Sequence, residues 1–174
     1  MSGTVVNGRR RAEQPLARAG EQRTSERTGR GWWALVLTGG SLGILTATVQ
    51  TVERIAWADD PDTSSICDLN ASLSCTAVFD HWQSSALGIP NSLIAIVVFA
   101  VVAGTGLAGL LGSRLDGRYL TSVLGLTVFM AGFVTWYMAE SAYSMKVLCL
   151  YCLGCAVNIL LAGAGLTRAA DAHG

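Results

Sequence analysis

Five cysteines, Cys67, Cys75, Cys149, Cys152 and Cys155, are the residues of this 174-residue chain best suited to chemistry. Cys149-Leu150-Tyr151-Cys152 is a CxxC motif. On a helix, positions i and i+3 share a face, so the two sulfurs can pair. A helix N-terminus favours negative charge, which would stabilise a thiolate at Cys149. Lys146, three residues earlier, would add to this. The thiolate is the species that attacks in thiol–disulfide exchange. Cys67 and Cys75 form a second pair with seven residues between them. Two pairs meeting at one place make a relay for electron pairs. The alternatives are a structural Cys67–Cys75 disulfide with buried thiols elsewhere, or a four-cysteine zinc site. The wide Cys67–Cys75 spacing argues against zinc. Covalent haem attachment needs His after CxxC, and Leu153 stands there. Cys155 reads as a small buried apolar residue.

Positioning these sulfurs requires a scaffold, and the composition indicates which kind. Apolar residues make up 51% of the chain and charged residues 14%. Soluble proteins average about 25% charged. Four stretches approach the roughly 20 apolar residues that a spanning helix needs: about 32–52, 90–112, 119–140 and 148–167. Inside lipid the backbone must satisfy its own hydrogen bonds, so each is expected to be a helix. The expected fold class is an all-α integral membrane bundle of four transmembrane helices. Residues 1–31 read as a disordered Arg-rich tail, 32–167 as the membrane domain, 53–89 as the loop joining helices one and two, and 168–174 as a second tail. Gly39 and Gly43 form a GxxxG step for close helix packing. Trp32, Trp33, Trp57, Trp136 and Tyr137 are expected as interfacial anchors.

Charge distribution orients the bundle. Residues 1–30 carry seven arginines (Arg9, Arg10, Arg11, Arg18, Arg23, Arg27, Arg30) against three glutamates. Residues 53–89 carry Arg54 alone against six acidic residues. Basic residues collect on the cytoplasmic side. Both termini are therefore expected in the cytoplasm, with all four relay cysteines at the opposite, oxidising face, where disulfides persist. No folded basic patch interleaved with aromatics exists, so nucleic-acid binding has no support.

The pattern Cys67-Asp68…Cys75, then Leu87-Gly88-Ile89-Pro90-Asn91-Ser92, then Cys149-x-x-Cys152, resembles the vitamin K epoxide reductase family in order and spacing over roughly residues 32–167. The resemblance implies a four-helix bundle around a quinone of the menaquinone or ubiquinone type, in a bacterial inner membrane. It implies that Cys152 contacts the quinone and Cys149 is its partner. Cys67 and Cys75 would be the shuttle cysteines, and Asn91 would hydrogen-bond a quinone carbonyl. The implied activity is that of a DsbB-like thiol oxidase, which reoxidises a separate DsbA-like thioredoxin-fold protein. Of the loop pair, Cys75 is expected to meet Cys149, and Cys67 the partner. Recycling of a quinone epoxide, or a non-catalytic scaffold, are the rival functions. The chain departs from the family where His81 replaces a usual Ser or Thr, and where Ala156 replaces an aromatic residue found in animal members.

Overall fold

The computed structural model describes residues 4–62, 65–70, 72–79, 81–85 and 88–171, with side chains from 28 onward. Asp80, Leu87, residues 172–174 and the side chains of the six arginines between 9 and 27 lie outside that description. Five α-helices are described: α1 (Thr4–Asp59), α2 (Thr76–Phe79), α3 (Asn91–Leu110), α4 (Gly117–Glu140) and α5 (Leu150–Asp171). A 3-10 turn, Trp82–Ser85, follows α2, and a π-helical turn, Ser141–Met145, extends α4. Four segments are long and apolar enough to cross a membrane: Thr28–Asp59, Asn91–Leu110, Gly117–Met145 and Leu150–Asp171. The all-α, four-span expectation therefore holds. The first helix differs from its expected bounds. It is continuous from Thr4, where a structureless tail was expected, and it runs through Glu53–Asp59, expected as loop. The first extension is rich in Arg, Glu, Gln and Ala, and the second carries Glu53, Arg54, Ala56 and Ala58, residues that favour helix without making a long apolar run, so a hydropathy boundary stops short of both.

α1 packs chiefly on α3 and α5, and α4 chiefly on α5. Close approach depends on missing side chains. A Cβ on Gly40 would lie 2.6 Å from the Ala103 nitrogen, and one on Gly43 would run into the Phe99 ring. Gly39 instead faces α5, so the expected GxxxG face serves two neighbours. The interior divides into three layers along the bundle. One holds Trp33, Val36, Val102 and Leu166. The middle holds Phe99, Met130, Cys155 and Ile159. The third holds Cys67, Cys75, Phe79, Tyr137, Cys149 and Cys152. The outside is apolar too: Leu45, Val97, Phe129 and Leu160 are each 60–64% exposed, a surface suited to lipid rather than water.

Two of the aromatic residues expected as interfacial anchors have other places. Trp33 is buried against the space left by Gly109. Tyr137 is buried in the cysteine layer. Trp136 is exposed, and Trp32 lies beside Arg168, whose guanidinium carbon is 6.0 Å from the ring centroid.

Candidate functional site: a cysteine cluster opening on a cavity

Backbone pairing places the loop. Leu73 forms a parallel bridge with Leu148, and the Leu148 N–H donates to the Ser72 carbonyl at 2.9 Å. Cys75 lies two residues beyond one side of that bridge and Cys149 one residue beyond the other, so the pairing itself brings them together. The turn leading to Leu148 needs Lys146 in the left-handed region, at φ 56°.

Asp68 organises the loop around the sulfurs. Its Oδ1 accepts from Ser74 Oγ at 2.7 Å, the Cys75 N–H at 2.8 Å and the Thr76 N–H at 3.3 Å. Its Oδ2 accepts from Thr76 Oγ1 at 2.9 Å and the Ser65 N–H at 3.2 Å. Desolvation pushes this carboxyl up. The hydrogen bonds from Ser74, Thr76 and Ser65 together outweigh it and hold the group below the usual carboxylate range. Glu53, at the end of α1, ties the loop to the last helix. It accepts from Tyr151 Oη at 2.7 Å and from Ser65 Oγ.

Cys67 and Cys75 form a disulfide with Cα atoms 5.7 Å apart, while Cys149, Cys152 and Cys155 are free thiols. Cys75 Sγ is 3.2 Å from Cys149 Sγ. Cys149 precedes α5 rather than opening it, and its carbonyl accepts from the Leu153 N–H at 3.1 Å, which makes it the cap of that helix. Its thiol is held below the ordinary range by Cys152 first, and also by the Tyr151 and Cys152 backbone N–H groups. Burial and Asp68 act against this. Lys146, expected to assist, is exposed and is not among the groups acting on the thiol.

Cys152 and Cys155 line a small cavity of about 40 Å³. Gln50, Arg54, Asn91 and Ser92 supply its polar lining. Arg54 donates to the Ser84 carbonyl at 2.7 Å and Ser85 Oγ at 2.8 Å, pinning the 3-10 turn beside the cavity. The Asn91 amide N–H donates to the Gln83 carbonyl at 2.6 Å, while Asn91 Oδ1 and Ser92 Oγ are buried without a partner. Buried polar atoms are normally paired. Two orphans beside a free thiol, one an acceptor and one able to donate or accept, suit a ligand whose oxygens accept and, once reduced, donate. Cys155 is 5% exposed in the middle layer.

The residues named from the sequence thus fall in one region: the sulfurs of Cys67, Cys75 and Cys149 within 4.8 Å of one another, then Cys152, with Asn91 lining the same cavity. Gln50, Glu53, Arg54 and Ser92 were not foreseen. The acidic and basic members sit just beyond the apolar part of α1, the one sequence signal they left. No curated protein matches the sequence. The vitamin K epoxide reductase family matches over residues 33–164, which includes every one of these residues. The chain belongs to the vitamin K epoxide reductase family and is a multi-pass membrane oxidoreductase of that kind.

Proposed function

We propose that the protein takes electron pairs from a reduced thioredoxin-fold protein of the DsbA type and passes them to a membrane quinone, sustaining disulfide formation in exported proteins of a bacterium. The observation that carries this is the 3.2 Å approach of Cys75 Sγ to Cys149 Sγ, with the neighbouring Cys152 lining the cavity. The partner's thiolate opens the Cys67–Cys75 disulfide at Cys67 and becomes oxidised as the loop becomes a dithiol. Cys75 then attacks Cys149 of the oxidised CxxC, Cys152 leaves as thiolate, and Cys67 closes the loop disulfide and frees Cys149. The arrangement described above, with loop oxidised and CxxC reduced, is the product of that transfer. Held in the cavity, a quinone supplies an acceptor for two electrons and two protons. Ser92 Oγ would donate to one of its oxygens, Asn91 Oδ1 would accept from the hydroxyl formed on reduction, and Cys152 would face the ring.

Cys67 is buried, so the loop must open for the partner. Ile66 and Leu69, 81% and 62% exposed, flank it and offer apolar contacts to an incoming protein. The charge distribution supports an inner-membrane orientation with both termini in the cytoplasm and the cysteines outside.

The test is quinone reduction in lipid nanodiscs, driven by a reduced thioredoxin-fold donor. Cys152→Ser is expected to abolish turnover and accumulate a Cys75–Cys149 bond, seen by peptide mapping. Turnover retained in Cys152→Ser would overturn the proposal.

A further inference from the structure

Among the described residues, one side-chain amide lies within hydrogen-bonding distance of Cys152 Sγ. Gln50, on α1, points its Nε2 at Cys152 Sγ across 3.7 Å, a donor distance for sulfur, and the two residues line the same cavity. They are 102 positions apart in sequence. We propose that Gln50 is a further catalytic residue whose side-chain N–H holds the Cys152 sulfur, directed into the cavity, and stabilises the negative charge it carries when it leaves Cys149 and when it reacts. The inference rests on the reading of Cys152 as the sulfur that hands over the electron pair.

The physical need is plain. Cys152 lies inside the first turn of α5, 6% exposed, against a cluster built mainly of apolar side chains and sulfur. A thiolate there has lost most of its water, and burial of a charge is costly unless something hydrogen-bonds it. Cys149 uses the Tyr151 and Cys152 backbone N–H groups, so the helix start serves the other sulfur. The remaining charged or titratable groups around Cys152 are Arg54 on α1, Tyr137 on α4, Cys149 just before α5 and Cys155 within it. Arg54 is occupied by Ser84 and Ser85. The Gln50 amide is neutral, so it stabilises the anion without an ion pair that would have to be broken when the sulfur reacts. The chemistry balances without Gln50 being consumed. Two thiols lose two electrons and two protons and become the Cys149–Cys152 disulfide, while the amide only strengthens its bond to the sulfur in its charged form.

The test uses the full chain in nanodiscs without quinone, with N-ethylmaleimide as a neutral ring probe. Cys155 lines the same cavity and is the internal reference for access. In Gln50→Leu the ratio of Cys152 to Cys155 labelling is expected to fall roughly tenfold, the size of one charge-assisted hydrogen bond. Cys75–Cys149 exchange should keep its rate. An unchanged labelling ratio overturns the inference. If Gln50→Leu does not fold, Gln50→Met, flexible and also without a donor, is read the same way. Because the readout contains no quinone, it stands apart from the turnover assay. Loss of the donor role would leave quinone reduction by the wild type intact, whereas a wild type that fails to reduce quinone would remove the proposed function and leave the labelling result standing.

Discussion

Asp68→Asn isolates the loop's organising charge at nearly constant shape. The carboxylate accepts five hydrogen bonds, three on Oδ1 and two on Oδ2. In the amide, Oδ1 still accepts, but an NH2 replaces Oδ2. Thr76 Oγ1 can rotate to accept from it. The Ser65 N–H cannot, and two donors then face each other. One bond is lost outright and the rest lose their charge assistance. With net values of about 0.5–1.5 kcal/mol per bond, the loop loses about 1–3 kcal/mol. At tenfold per 1.4 kcal/mol this is roughly 5- to 150-fold in the opening equilibrium. Amide hydrogen exchange reads that equilibrium directly, and the Cys75 and Thr76 amides should lose protection by this factor. The pH dependence has a definite sign. The folded carboxyl titrates below its unfolded value, so its stabilisation is complete above about pH 3.9 and is lost as pH falls through the lower folded value. The wild-type loop should therefore loosen in that acid window, and the Asn variant should not show this step. Equal protection of Cys75 and Thr76 in the two proteins at neutral pH would refute the reasoning.

Cys149, held below the ordinary thiol range, should alkylate with an inflection at lower pH than a free cysteine measured alongside, provided the Cys67–Cys75 disulfide is intact. Ser92→Ala should raise the apparent KM for a short-chain quinone roughly tenfold with exchange between the cysteine pairs unchanged, measured by steady-state and rapid-quench kinetics. Gly40→Ala should destabilise the bundle by about 1–3 kcal/mol, because its Cβ would press on the Ala103 backbone and α1 and α3 would have to part; unfolding in detergent measures this. Tyr151→Phe removes one bond to Glu53 and should weaken loop docking by about 0.5–1.5 kcal/mol, seen as faster exchange of the Cys67 amide.

The spans were legible because lipid demands a continuous apolar stretch, a requirement written locally in the residues. The sulfur chemistry was legible because spacing within a CxxC is also local. What sequence concealed depends on pairs brought together only by folding. Gln50 and Cys152, Glu53 and Tyr151, and Arg54 and Ser84 each look unremarkable until α1 is seen to continue past its apolar part, beside the cysteine layer. The end of α1 was misplaced because hydropathy marks where lipid ends, while helix propensity decides where the helix does. Tyr137 was misassigned because an aromatic residue near a span's end reads alike whether it faces headgroups or the interior. Lys146 was overvalued because nearness in sequence does not fix direction, and a left-handed turn carries it outward.

The contact between Leu73 and Leu148 is made by main-chain atoms. Its hold therefore depends on chain length rather than on which side chains stand there. The interval from Leu73 to Cys75 works as a ruler. Inserting one residue into it would carry the sulfur past its target, whereas most substitutions in the neighbouring turn would leave the measurement intact. Drift in composition should be tolerated along that stretch, and changes in residue number should not.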